Sequence, residues 1–443
     1  MIQKKLLAIH LNEFNFDYLK YGVSKYKLKY LKKLISLKKI STYTKDKTQN
    51  KNLDPWVQSV SINIGKTSRK HKIFKLGQKI NKKVIFIWDI LIKKNIDCYV
   101  WGSINTNYIK NKYLKLFFPD PWNYASTIHP KDLKPLHILP RYYAKNYLEI
   151  EILKTIKYSF IFFYTFIKNN GIIFILKHFS LIFRSILSKG LKNYILFFIF
   201  DLISLDLLRN KINSRDSCFS YIFLNSLAHF QHNNWNDAHD ERYYFLYVEK
   251  ISKLIFDIYQ THNSLIVFNG FSQKRIKNDF LIRPINPIRF LKQVIKFSKL
   301  EQDMTNGGFI FFKNKKNTVI AFEKLKNYKI CGIKIFEVSQ KKRNSFFYRI
   351  TIRSNKDLKQ LKNLEITKKN FSNSIYCENK KDEKNIKFNS KELLRFIKSV
   401  QFIKTTGIHS PHGDILFDKL KNLKKKISLE NHKIFNIFKD YFS

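Results

Sequence analysis

Twelve histidines occur in this chain, and four of them come as two close pairs. His229 and His232 end the segment Tyr221-Ile-Phe-Leu-Asn-Ser-Leu-Ala-His-Phe-Gln-His232. His409 and His412 lie in Gly407-Ile-His-Ser-Pro-His-Gly413, near the other end. Imidazole titrates near neutral pH and is the commonest metal ligand, so two such pairs in turn-like settings ask for a metal or a phosphate. The run 221–232 reads as a buried strand that brings both rings of the first pair to its C-terminal tip. Open α/β folds place their chemistry at that end.

The elements that must hold these residues can be read from apolar periodicity. Residues 5–11 form a first strand that runs directly into Asn12 and Glu13. Asp97-Cys-Tyr-Val-Trp-Gly102 and Asn263-Ser-Leu-Ile-Val-Phe-Asn-Gly270 read as further strands ending in turns, and 243–258 has helical spacing. Strand, helix and strand in repeated order imply a mainly parallel sheet covered on both faces. Residues 308–353 look different: Gly308–Phe312, Thr318–Phe322 and Phe346–Ile352 suggest antiparallel strands of a subdomain. The stretch 354–388, rich in Lys and Asn, reads as a solvated insert.

The most hydrophobic region, 158–207, is interrupted by Lys168, Lys177, Arg184, Lys189, Lys192 and Asp201. No run of about 18 uncharged apolar residues results. Buried or capping helices are the expectation, and a basic interfacial helix pair is the alternative, giving contact with a membrane surface. Against 33 acidic residues the chain has 83 Lys and Arg, for a formal charge of +50. Such a surface attracts anionic polymers or lipid. The lysines are spread over the whole chain rather than gathered in a stripe, and the Lys-, Asn- and Ile-rich composition also fits AT-rich coding. Nucleic acid is therefore not the expected specific partner. The four cysteines show no CxxC spacing and fit a reducing compartment. The N-terminus has too short an apolar stretch for a signal peptide. A cytoplasmic protein, peripheral to the inner membrane where the apolar region touches it, is expected.

Taken together, several segments carry a resemblance: Asn12-Glu13 after the first strand; Asp54-Pro55-Trp56-Val57-Gln58 through Gly65, with His71 six residues later; Asp120-Pro121-Trp122; Asn225 to His232; Phe268-Asn269-Gly270; and Gly407-Ile-His409. In this order the chain resembles the alkaline phosphatase superfamily, in its type I phosphodiesterase and nucleotide pyrophosphatase branch. The resemblance covers roughly 1–290 and 400–443. It implies a three-layer α/β sandwich with a mainly parallel central sheet. Core parts are then expected at 1–150, 215–300 and 396–443, an apolar helical insertion at 151–214, and a lysine-rich α+β insertion at 301–395. It also implies two divalent ions and a Thr nucleophile, and here the residues depart from it. The nucleophile position falls on Pro55, beside Asp54. The first metal-binding Asp falls on Asn12 or its neighbour Glu13, the Asp of Asp-x-x-x-His on Asn225, and the Asp-His of Asp-His-Gly on Phe268 and Asn269. His229 and His409 match ligand positions.

What remains can still bind an ion. Two His and one carboxylate make a zinc site with an open fourth position, able to acidify water to a pKa of about 7. His229 and His409 with Glu13, or His232 in place of one of them, satisfy that count, with Asn225 nearby. Asp54 is the candidate general base. Arg283, Lys66 and Asn269 are the candidates for holding the anionic substrate, Lys66 by ringing the pocket entrance after Gly65. The bland alternative is that the imidazoles hydrogen-bond one another with no ion. His71 is expected to pack after its turn, and His239 and His262 to lie at the surface. The expected function is metal-dependent hydrolysis or transfer of a phosphoester, or a sulfoester, of an anionic glycan, glycolipid or nucleotide-like substrate. The alternative is a non-catalytic relative that binds an anion or a partner in surface-polysaccharide assembly.

Overall fold

The uninterrupted apolar run Leu6–Ile9 forms the middle of the central strand of a large sheet, in what is a computed structural model. The structure describes residues 3–46, 53–81, 83–123, 126–146, 150–213, 216–302, 306–330, 333–339, 341–351, 396, 398–420 and 428–443. The chain divides into two units, Met1–Arg275 with Gly407–Ser443, and Ile276–Thr406.

In the first unit eight strands form one sheet: β1 (Lys5–Leu11), β2 (Lys38–Tyr43), β3 (Asp97–Trp101), β4 (Leu114–Phe118), β5 (Cys218–Leu224), β6 (Ser264–Phe268), β15 (His412–Asp418) and β16 (Ser428–Glu430). Their order is β16-β2-β15-β6-β1-β5-β3-β4. β1 lies parallel between β5 and β6, so the three C-terminal ends open together. β15 runs antiparallel to β6, with Ile415 opposite Phe268, and therefore begins at that same end.

Side chains alternate along β1, and each face has its own core. Leu7, Ile9 and Leu11 pack with helices α1 (Phe16–Tyr26), α2 (Lys29–Ile35), α9 (Asn193–Lys211) and α11 (Ala238–Tyr259). Leu6 and Ala8 pack with α3 (Pro55–Ile64), α5 (Ile87–Lys93) and the C-terminal helix α14 (Ile434–Tyr441). Each fully buried Leu or Ile contributes about 1.5–3 kcal/mol. This is the expected α/β sandwich: helices on both faces of a mainly parallel sheet. Short helices α4 (Ser68–His71) and α6 (Ile138–Asn146) belong to the same unit.

Between α6 and α9 the chain makes α7 (Ile152–Phe166), a π-helical turn at Ile167–Gly171, and α8 (Ile172–Lys189). α9 is largely buried, whereas α7 and α8 leave many apolar side chains in solvent. Among the described residues no single helix is long and apolar enough to cross a membrane.

The second unit holds a four-stranded antiparallel sheet, β12-β13-β9-β8, made of β8 (Lys299–Gln302), β9 (Gly307–Phe311), β12 (Phe336–Ser339) and β13 (Ser345–Ile350). The short pair β10 (Lys329–Ile330) and β11 (Ile333–Lys334), α12 (Pro287–Lys292) and α13 (Lys315–Lys326) complete it. Strands β7 (Ser272–Pro284) and β14 (Val400–Ser410) pair with each other and carry the chain between the units. The unit spans 276–406, a wider stretch than the expected 301–395.

Three expectations are corrected. Thr318–Phe322 lies in α13 rather than in a strand: Asn314 caps the helix by accepting from the Asn317 amide, and Thr318, Ala321 and Leu325 are buried at helical spacing. The strand before the first histidine pair stops at Leu224, and the rings ride on α10 (Ser226–Asn233). His262 is buried, its Nε2 lying 2.9 Å from Ser220 Oγ, while His239 is exposed as expected. The insert read at 354–388 lies outside the described residues.

Candidate metal centre

Glu13 stands in the turn from β1 to α1. The ladder continues one step past β1, with the Asn12 amide donating to Leu224 O at 2.9 Å, and then the backbone turns left-handed at Glu13, φ 55°. That conformation costs a non-glycine residue on the order of 1 kcal/mol and persists only where its surroundings impose it. The surroundings are visible. Gln231 donates through Nε2 to Glu13 O and accepts the Asn15 amide, while Asn15 caps α1 by accepting from the Tyr18 amide.

His232 comes from α10, whose start is fixed by a carboxylate on another helix. Asp201 of α9 accepts the amides of Asn225 and Ser226 at 3.0 and 2.8 Å. His409 comes from the end of β14, where Gly407 permits a close approach: a Cβ there would lie 2.6 Å from Gln231 O and would also strike Gln273.

The three side chains meet. Glu13 Oε2 lies 3.1 Å from His232 Nε2 and 3.2 Å from His409 Nε2, and the two nitrogens are 3.3 Å apart. Tetrahedral zinc, with bonds of about 2.0–2.1 Å, sets its ligands about 3.3–3.4 Å apart, so the triangle has nearly the edge length of that coordination sphere. Gln273 Nε2 donates to Oε2 at 2.6 Å and Asn12 Nδ2 to Oε1 at 3.1 Å, which fixes the carboxylate plane. Asn12 Oδ1 is buried with no hydrogen-bond partner, an acceptor left over beside the carboxylate. Glu13 is 1% exposed, whereas the His232 and His409 side chains are 33% and 25% exposed, so the cluster opens to solvent on its imidazole side. The donor set therefore fits a divalent ion.

Electrostatics bind the three together. Burial alone would raise the Glu13 carboxyl, but the His409 and His232 imidazoles override it and hold it well below the usual carboxylate range. Burial would likewise lower His409, but the charge and hydrogen bond of Glu13, with the charge of Asp54, raise it.

Of the ligand sets that the residues allowed, the structure brings together Glu13, His232 and His409. His229 is not in the cluster: its ring stacks on Phe197 of α9, centroids 3.4 Å apart and planes 10° from parallel, and burial pushes its imidazole down to about 3. His412 is exposed at the start of β15. Asn225 Oδ1 accepts from Asn12 Nδ2 at 2.7 Å. Asn269 is fully enclosed, donating to Phe14 O at 2.8 Å and accepting the Asp414 amide at 2.9 Å.

Asp54 heads α3 but makes no side-chain bond to that helix's amides, and its charge acts on His409. Lys66 follows Gly65 at the other end of the ten-residue α3, about 15 Å along the axis from Asp54. Arg283 belongs to the second unit, where Nε and Nη2 donate to Gln401 Oε1 at 2.9 and 2.7 Å. His71 packs after its turn, Nε2 lying 3.0 Å from Ser61 Oγ.

Sequence reasoning missed Gln231, Gln273 and Asp201. Asp201 had a signal, a carboxylate in the apolar run Phe198-Ile-Phe-Asp-Leu-Ile203, since a buried acid demands partners. Gln231 lies between the two rings of the first histidine pair. Gln273, a lone amide in a strand, had none.

No family model and no curated protein matches the chain. Among solved structures it is similar to the alkaline phosphatase of Thermus thermophilus (8% identity, TM-score 0.45, covering 99% of this chain and 91% of that one). It is also similar to murine ectonucleotide pyrophosphatase/phosphodiesterase 5 (10%, TM-score 0.43, 98% and 94%) and to the alkaline phosphatase of an Antarctic bacterium (9%, TM-score 0.40, 100% and 98%). Likeness at this level assigns no activity.

Proposed function

We propose that Glu13, His232 and His409 hold one divalent ion, zinc by donor set, in a site that hydrolyses or transfers a phosphoester of an anionic glycan, glycolipid or nucleotide-like substrate, with a sulfoester as the near variant. The observation that carries this reading is the triangle of 3.1, 3.2 and 3.3 Å at the C-terminal end of β1. The bound ion supplies Lewis-acid polarisation and the acidification of water.

The chain's own residues do the rest. Gln273 and Asn12 keep the Glu13 carboxylate in one orientation, and the solvent-facing imidazoles leave the substrate's approach open. Asp54 is the base that takes the proton from the attacking water as its oxygen bonds to phosphorus, and it returns that proton to the departing ester oxygen, which leaves as the alcohol. Pro55 heads α3 and offers no nucleophile, so displacement by water needs no covalent intermediate on the chain. The +50 charge favours an anionic substrate.

A second reading, an anion-binding protein without turnover, is favoured by one observation: Asn12 donates to Asn225 where carboxylates for a second ion would be needed. The two readings separate cleanly. Metal-stripped protein titrated with zinc should bind one equivalent and then hydrolyse bis(p-nitrophenyl) phosphate, and Glu13→Gln should lose both properties. Wild-type protein that takes up no zinc equivalent would overturn the metal site. Zinc uptake without turnover, together with binding of an acidic glycan, would put the second reading in its place.

A further inference from the structure

Helices α7 and α8 are apolar around most of their circumference. Their buried side is narrow: Phe162 and Phe166 on α7, Phe174 and His178 on α8. On the other sides Leu153 is 82% exposed, Phe160 73%, Leu176 77% and Leu187 70%. Most of the exposed large hydrophobics among the described residues fall between Ile152 and Leu196. A helix that faces water carries polar groups on its outer side, and single exposed hydrophobics are ordinary, but a continuous apolar surface of this kind marks an interaction site.

The charge pattern says what covers it. From Ile152 to Phe200 there are seven Lys and Arg and no Asp or Glu, and of the seven Lys154 pairs with Glu151 and Lys192 with Asp240. A second copy of this chain, docking through the same surface in a two-fold dimer, would bring the other five cations against five more. An anionic bilayer offers both complements at once, acyl chains for the aromatic and aliphatic side chains and phosphate headgroups for the lysines. Length decides how the helices lie. At about 1.5 Å per residue, α7 and α8 reach about 22 and 27 Å, each short of the roughly 30 Å hydrocarbon core. They are bent 117° from one another at Ile167–Gly171.

We propose that α7 and α8 form a helical hairpin that seats the protein in one leaflet of an anionic membrane, without crossing it. Its apolar side chains enter the acyl region while Lys154, Lys157, Lys177 and Arg184 meet the headgroups. This inference stands apart from the metal site and does not require it.

Flotation of the full-length protein with vesicles tests it. The wild type should float with phosphatidylcholine vesicles containing phosphatidylglycerol, much less with phosphatidylcholine alone, and less as salt is raised. Leu153→Glu with Leu176→Glu, both at exposed positions, should lower partitioning by about tenfold for each substitution with an unchanged circular dichroism spectrum and melting temperature. Replacing the four basic residues by Gln should reduce the preference for phosphatidylglycerol. Three results would overturn the proposal: no flotation of the wild type with either vesicle; undiminished flotation of the Glu variant; or a dimer in lipid-free buffer, seen by sedimentation velocity, that the Glu substitutions dissociate while neither protein binds vesicles.

Discussion

At the C-terminal ends of β1, β5 and β6 two neighbouring corners are built from adjacent residues and come out differently. In one, Glu13 meets His232 and His409, three groups with one buried negative charge and few donors of their own. In the other, Asn12 donates to Asn225 and Asn269 is clasped between Phe14 O and the Asp414 amide. An amide carries both donor and acceptor, so amides bond to one another for about 1 kcal/mol per bond, with Asn12 Oδ1 the acceptor left over here. A carboxylate carries acceptors only, so it is matched by imidazole N–H groups or by a cation. The two corners share Asn12, which donates into both.

The sharpest way to break this contrast is Glu13→Gln, which makes both corners neutral. Zinc affinity measured by competition with a chelator should fall by more than about 100-fold, beyond what loss of a supporting hydrogen bond causes. Next comes a comparison within each histidine pair. His232→Ala or His409→Ala should weaken zinc binding comparably, whereas His229→Ala and His412→Ala should leave it within about threefold; a large loss with His229→Ala would show that the wrong ring of the pair had been assigned. Gln273→Ala, which frees the carboxylate but removes no ligand, should cost about 10–100-fold in affinity.

The turn that carries His232 supplies a pH test. Burial pushes the Asp201 carboxyl up to about 7, while the Ser226 and Asn225 groups pull it down. Its unfolded value is about 3.9, so between these limits the folded state holds the proton more tightly and this group's contribution to stability falls as pH rises, levelling off above about 7. Buried histidines such as His229 titrate in the opposite sense, so the test is a difference: the stability of wild type relative to Asp201→Asn, from thermal melts of metal-free protein, should fall by on the order of 2 kcal/mol between about pH 5 and pH 7. The smallest effect is expected in the amide corner. Asn225→Ala removes one of the two acceptors of the Asn12 amide and should cost about 1 kcal/mol of stability in denaturant melts while zinc affinity stays within about threefold.

The apolar runs at 5–11 and 218–224 made the parallel core legible, because a strand buried on both faces has no polar positions to spare. The helix over Lys315–Lys326 was not legible, since the β-branched run Thr318-Val-Ile imitates a strand until Asn314 caps it. Asn269 and Arg283 were read as substrate contacts because their side chains suit anions, but the fold gives each a partner among its neighbours.

By itself the sequence determined that a carboxylate and two pairs of imidazoles lie at the ends of strands in a mainly parallel sheet. The chemistry of those residue types limits them to an ion or to one another. Only the tertiary structure decided which ring of each pair takes part. His229 and His232 are three residues apart on one helix, so local spacing treats them alike. Phe197, on a different helix, stacks on the first ring and leaves the second to Glu13. Gly407 lets β14 approach Gln231 closely enough for His409 to reach the same oxygen. Packing between elements distant in the chain makes that choice, and spacing along the chain does not contain it.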